Sequence, residues 1–273
     1  MANQICTSLI FYHVQDGGST DGSLAILEAW QAKLADNQRV RFSYSSEVDN
    51  GMYDALNKGA KTLAIPEHAF MSWINASDLL MPGALQAIIE LDLKLGSSVD
   101  WIYGIPRCLE ENGKLQAQGR IIPYPQSILA TGGVDGILWP FFQQEGCFFR
   151  KKLWSAVGGC NIQFRLAGDW DLWCRMATLA ALVYLARQLG CFRRHGGQLS
   201  ESLATYHVEI NVQFLLPQEK TYFHAGMSAG TQRSLCPAQQ SEISASRLLL
   251  SHSRPACGPW TQRIVFLIIS CYI

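Results

Sequence analysis

The sequence predicts an α/β domain built on a largely parallel sheet. Strand-like and helix-like segments alternate strand, helix, strand, helix, strand, helix over the first ~90 residues, and parallel strands need such crossovers. The chain has 273 residues, 48% hydrophobic and 16% charged, which is long and apolar enough for a real core and too apolar for general disorder. Loops rich in Gly, Asp and Ser follow the strands, at the ends where open sheets of this kind bind ligands.

Each element has a local cause. Residues 5–14, ICTSLIFYHV, form a β-rich apolar run stopped by QDGGSTDGS. In residues 21–35, Asp21 and Ser23 are good caps, and Leu24, Leu27, Ala29 and Leu34 make a helical stripe. Residues 38–44 alternate as a short strand, and Asp49 to Thr62 reads as a helix with Met52, Ala55, Leu56 and Ala60 inward. HAFMSWIN, residues 68–75, is a third strand, and Pro82 opens a helix through ALQAIIELDLKL. A hairpin turning at Asn112-Gly113 follows. The helix from Lys151 to Val157 ends at Gly158-Gly159, another helix starts near Asp169, and residues 183–193 read as a strand. Beyond Tyr206 the chain is Ser/Gln-rich and has little periodicity, so the expected division is a domain over 1–206 and an unassigned tail over 207–273.

Composition narrows the function. Lys+Arg and Asp+Glu both number 22, so the basic excess that a nucleic-acid surface needs is absent and no nucleic-acid partner is expected. The nine cysteines contain no CxxC pair, which excludes zinc-finger and thioredoxin spacing. With no signal-peptide pattern after Met1, a reducing, cytoplasmic compartment is expected. The C-terminal apolar run, Ile264 to Ile269, is far short of the ~20 residues of a membrane helix. It reads as a strand or a disordered end in preference to a peripheral contact with the inner face of a membrane.

Four segments are candidates for chemistry: VQDGGSTD (14–21), WINASD (73–78), GDWDLW (168–173) and RRHGGQLS (193–200). Acidic residues in Gly-rich turns are common, an Asp at a helix start is usually a cap, and a lone loop His usually has no special role. The ordered series says more. VQDGGSTDGS, SEVDNGMYDALNKGA, WINASDLLMPGAL, QEGCFFRKKLWSAVGG, AGDWDLWCRMA and RRHGGQLS resemble the motif series of family 2 glycosyltransferases with the GT-A fold, over about residues 8–206.

The resemblance implies a GT-A-like three-layer sandwich with a mostly parallel central sheet, and inverting transfer from a nucleotide-diphosphate-sugar to a hydroxyl of a glycan or lipid-linked glycan in polysaccharide biosynthesis. It implies that Asp16 contacts the nucleotide base, and that Asp49, Asp54 and Asn57 are polar groups of the donor pocket. Asp78 matches the last acidic residue of the metal and diphosphate motif, and His195 a late histidine over the diphosphate or metal. Asp169 matches the base that takes the acceptor proton, and Gln144-Glu145-Gly146 would line the acceptor side. The chemistry suits these residue types. Mg²⁺ or Mn²⁺ on oxygen ligands offsets charge on the leaving diphosphate, and a carboxylate opposite it deprotonates the acceptor. Read from the residues alone, Asp169 and Asp78 are also helix caps or ion-pair partners, whereas Asp171 suits a structural role and Trp170 and Trp173 suit a core or an acceptor platform.

The chain departs from the family pattern in its tail after about residue 206, which matches no part of it, and in two further places. The strand–helix unit that precedes the position of Ile5 in family members is missing, so the expected fold is N-terminally truncated, with an open sheet edge to be left or completed by another chain. Ser77 also stands where a carboxylate commonly precedes Asp78. Both features favour an alternative, a non-catalytic remnant that binds a sugar-nucleotide or glycan. A nucleotidyltransferase or phosphohydrolase is a further alternative, but no GxxxxGK[ST] loop is present.

Overall fold

A computed structural model describes residues 8–116, 122–215 and 264–271. In chain order the elements are β1 (Leu9–Asp16), α1 (Ser23–Leu34), β2 (Val40–Ser46), α2 (Met52–Thr62), β3 (Phe70–Asn75), β4 (Leu79–Leu80), α3 (Ala84–Leu95), β5 (Trp101–Leu109), α4 (Gln126–Ala130), β6 (Cys147–Arg150), α5 (Lys151–Val157), α6 (Gly168–Ala177), β7 (Val183–Arg193), α7 (Leu203–Leu215) and β8 (Ile264–Cys271). The expected alternation is present, with bounds shifted by a few residues. The proposed start of the first strand at Ile5 and most of the tail lie outside the described residues.

The strands form one sheet in the order β2-β1-β8-β3-β6-β5-β7-β4. Pairings β1–β2, β1–β8, β3–β8 and β5–β7 are parallel, whereas β6 runs antiparallel to β3 and β5, and β4 antiparallel to β7. The sheet is therefore mixed, and its reversed strands matter: β6 begins, and β4 lies, at the end where the parallel strands finish.

The expected open edge is not there. β8 lies in the middle of the sheet and pairs with β1 over eight positions, Leu9↔Ile264 to Asp16↔Cys271, and with β3 over six, Phe70↔Val265 to Asn75↔Ser270. Strand pairing is a long-range contact that chain order does not reveal. The apolar run of 264–269 is thus a strand paired on both edges. The division at residue 206 falls inside α7, whose Ile210 belongs to the main core.

Side chains alternate between two faces of the sheet, as the two-residue strand period requires. Met71, Trp73, Trp101, Tyr103, Cys147 and Phe149 pack against α2, α5 and α6. Their neighbours Phe70, Ile102 and Phe148 pack against α3, and Val14 and Ile74 against Leu27 of α1. Burial on both faces explains why these strands read as unbroken apolar runs, and the result is three layers.

On the α2/α6 face Trp173 is the hub. Its ring stacks on Trp73 at 5.3 Å and on Trp101 at 5.7 Å, with Phe142 at 5.1 Å. The buried Arg150 ties the other layer together. It bonds Asp92 at 2.6 Å, the carbonyls of Gly96, Val99 and His68, and lies over the Phe70 ring. Two expectations about helix ends need adjustment. Gly158, at φ +78°, does end α5, but Pro82 precedes the Gly83 cap of α3 and is not in its first turn. Asp21 caps α1 from outside, accepting from the Ser23 N–H and hydroxyl. The Asn112-Gly113 turn joins β5 to Leu115 as expected.

The described cysteines Cys108, Cys147, Cys160, Cys174 and Cys191 are free thiols. Among the described residues no helix is long and apolar enough to cross a membrane.

Candidate active site

The loops at the carboxyl ends of β1 and β3, the turn before β6 and the start of α6 carry most of the candidate residues, which places them at the ligand-binding end of the sheet.

Asp16, the last residue of β1, is fully buried. Its carboxylate accepts from the N–H groups of Gly18 and Ser19, from Ser19 Oγ at 2.5 Å and from Ser46 Oγ at 2.6 Å. Burial pushes its pKa up, but these four donors outweigh burial and hold it below the ordinary carboxylate value. The side chain thus shapes the Gly-rich loop 17–19. Asp49 lies against Gly17 from the next loop and accepts from the Gly51 N–H. Asp54 caps the start of α2 through Asn50 and pairs with Lys58 at 3.3 Å. Asn57 lies within α2. Its amide nitrogen donates to the Cys160 carbonyl at 2.8 Å and its oxygen accepts from the Cys160 N–H at 2.9 Å, so it clamps the loop after α5.

Asp78 follows β3 and is held where β4 turns back along β7. Its Oδ1 accepts from the Arg193 N–H at 3.0 Å, and its Oδ2 is buried with no donor among the described residues. Glu145, in the turn before β6, faces it. Glu145 Oε1 accepts from Gln144 at 3.0 Å, and Oε2 has no donor among the described residues. Burial, then the Asp78 charge, raises the Glu145 pKa to about 8, and burial raises that of Asp78. Burial thus favours the protonated form at both carboxyls. Gly190 of β7 makes room for this approach, since a Cβ there would overlap the Glu145 carbonyl.

Asp169 sits in the first turn of α6. Its Oδ1 accepts from the Trp170 N–H at 2.8 Å and lies 3.3 Å from the Tyr53 hydroxyl. No hydrogen bond to Oδ2 occurs among the described residues. Burial lifts the Asp169 pKa to about 6, against these hydrogen bonds. One oxygen is anchored, the other has no hydrogen bond among the described residues, and burial lifts the pKa toward neutrality, which suits a general base. Asp169 also raises the Glu145 pKa, so the two share one electrostatic neighbourhood. Asp171 pairs with Arg175 at 2.6 Å within α6, the structural role expected of it. Trp170 and Trp173 are core residues.

The loop before Asp169 is fixed from two sides. Tyr53 donates to the Leu166 carbonyl at 2.8 Å. Glu209 of α7 accepts from the N–H groups of Arg165, Leu166 and Ala167. Glu209→Ala is expected to cost about 1–3 kcal/mol, because three N–H groups lose their acceptor. Urea unfolding measures the loss, and Glu209→Gln, which keeps one acceptor oxygen, is expected to recover part of it. Reading the sequence missed Glu209, which lies in the tail left unassigned over 207–273, and missed the contact of Glu145 with Asp78. A carboxylate inside the apolar stretch QQEGCFFR was the available signal for the second.

Mg²⁺ or Mn²⁺ could be held at part of this site. The orphaned oxygens of Asn75, Asp78 and Glu145 are acceptor-only or can become so on deprotonation, as Mg²⁺ or Mn²⁺ requires. His195 is exposed on the loop after β7, where its N–H donates to Gln198 and its Nδ1 lies 3.0 Å from the Gly196 carbonyl. Among the described residues no three His, Cys, Asp or Glu side chains converge as a metal cage.

No protein-family model matches the chain. Its homologues carry the name glycosyltransferase. An uncharacterized glycosyltransferase of Rickettsia conorii is 25% identical over 203 residues, 73% of this chain and 31% of that protein. A PGL/p-HBAD biosynthesis glycosyltransferase of Mycobacterium tuberculosis is 24% identical over 203 residues, 72% of this chain and 70% of that protein. The chain thus spans about a third of the length of the rickettsial relative. Among solved structures, S. aureus TarS 1–349 in complex with UDP is similar at a TM-score of 0.49 and 17% identity, over 77% of this chain and 59% of that one.

Proposed function

We propose that this chain is a glycosyltransferase that moves a sugar from a nucleotide-diphosphate donor to a hydroxyl of a glycan or lipid-linked glycan acceptor, with inversion, in polysaccharide assembly. The observation that carries this reading is Asp169, with one oxygen tethered at the start of α6 and a pKa lifted to about 6. The glycosyltransferase names of the homologues support it.

In this reading Asp169 Oδ2 takes the acceptor proton as the hydroxyl attacks the anomeric carbon, and the nucleoside diphosphate departs from the opposite face. Asp78, Asn75 and Glu145 would hold Mg²⁺ or Mn²⁺ beside the diphosphate, with His195 at the rim. That ion would supply positive charge to the leaving group. The loops organised by Asp16 and Asp49 would receive the nucleoside, and Asn57 would support the pocket through the Cys160 loop. Asp16 spends its carboxylate on its own loop, which favours base recognition by the loop it shapes over contact with its side chain.

The test is release of nucleoside diphosphate from UDP-, GDP-, dTDP- and CDP-sugars by the full chain with Mn²⁺ and a hydroxyl acceptor. Acceptor-dependent release from one donor supports the proposal, and no release from any donor supports the binding-only alternative. The rate is expected to depend on pH in one direction. Below pH ~6 Asp169 is protonated and cannot accept a proton, so turnover falls about tenfold per unit, and above it turnover levels off. A rate profile flat from pH 5 to 8 removes Asp169 from this role.

A further inference from the structure

The two halves of the candidate donor site do not touch through the sheet. Asp16 ends β1, and Asn75 to Asp78 follow β3, yet β1 and β3 are not paired with each other. β8 lies between them and sets them two strand spacings apart, about 9.5 Å. Its carboxyl end is level with both loops, with Cys271 opposite Asp16 and Ser270 opposite Asn75. α2 packs across β1 and β8 together. β8 enters this central position from far along the chain, since residues 216–263 separate it from α7. A parallel connection needs only a dozen or so residues.

We propose that the gap between β1 and β3 is a strand-docking site whose occupant is residues 264–271 of this chain, and that its occupancy assembles the donor site. With β8 docked, the Asp16 and Asp78 loops stand at a fixed separation, and the backbone at Ser270 and Cys271 floors the crevice between them. With β8 withdrawn, β1 and β2 lose their connection to the rest of the sheet and the two loops lose their common frame. The coupling to donor binding rests on the glycosyltransferase reading, whereas the docking itself does not.

The test compares the full chain with its Leu267→Pro and Leu267→Val variants. Leu267 is paired with Tyr12 on one side and Ser72 on the other, so proline removes a ladder N–H from a strand flanked on both edges. Hydrogen exchange of the β1 and β3 amides reads docking, near-ultraviolet dichroism of the tryptophan cluster reads the remaining core, and the melting shift with UDP, GDP, dTDP or CDP and Mn²⁺ reads the donor site. Leu267→Pro is expected to keep the tryptophan signal, to exchange β1 and β3 amides about 100-fold faster, and to lose the nucleotide shift. Leu267→Val is expected to match the parent.

Unchanged protection in Leu267→Pro overturns the docking. Lost protection with an unchanged nucleotide shift overturns the coupling. A parent chain that binds none of the four nucleotides overturns the coupling and the donor reading with it, while exchange still decides the docking. If Leu267→Pro also loses the tryptophan signal, a full chain with a protease site inserted in 216–263 and cut after folding decides. The piece holding 264–271 is then expected to co-elute with the body and keep β1 and β3 protected, and separate elution with unchanged protection overturns the docking.

Discussion

Asp169→Asn is expected to lower sugar transfer by roughly 10²–10⁴-fold, the contribution typical of a positioned general base, while leaving nucleotide binding unchanged. The substitution keeps the volume and the Oδ1 acceptor for Trp170 N–H, and removes only the capacity to take a proton. Stability at neutral pH is expected to hold or rise. The carboxyl has a pKa of about 6 when folded, above the ~3.9 of an unfolded chain. Its stabilising contribution is therefore complete below pH ~3.9 and is lost as pH rises through 6, so at pH 7.5 the native state bears the cost of a disfavoured charge. A melting temperature for Asp169→Asn at or above the parent, together with lost transfer, distinguishes a base from a helix cap. A cap would lose stability and keep activity.

Trp173→Ala is expected to destabilise the domain by about 3–5 kcal/mol, the usual cost of truncating a large buried aromatic side chain. Trp173 is 2% exposed and contacts Trp73, Trp101, Phe142 and Phe149, so three strands and the segment before β6 lose packing at once. The change also reaches the site. Trp173 lies four residues after Asp169, one helical turn along α6, and fixes the helix whose first turn presents Asp169. Chemical denaturation of Trp173→Phe, which keeps a ring in the hub, is expected to show a clearly smaller loss. A change below 1 kcal/mol for the alanine variant would remove Trp173 from its place as the hub.

The local order of this fold was legible in the sequence. The runs at 68–75 and 183–193, the Gly158-Gly159 stop and the Asn112-Gly113 turn carry their conformations in adjacent residues. Asp169 and Asp78 were legible as candidates because strand ends and helix starts can be located from such patterns. The missing pieces all depend on contacts distant in the chain. Glu145 meets Asp78 only because β6 is reversed and Gly190 leaves space beside it. Glu209 reaches back to residues 165–167 from a segment without clear periodicity. The expected open edge is closed by residues 264–271, whose apolar pattern marks a strand but carries no record of its neighbours. Asn57 was read by its chemical type, and its side chain proved to be engaged with the Cys160 backbone.

The most direct measurement is a thermal-shift series on the full chain with UDP, GDP, dTDP and CDP, each with and without Mn²⁺. A ligand at about 100 times its dissociation constant adds ~2.7 kcal/mol of stability. One nucleotide is expected to raise the melting temperature, and to do so more strongly with Mn²⁺. A cooperative melt that none of the four nucleotides moves, with or without the metal, would contradict a nucleotide-sugar site at this end of the sheet.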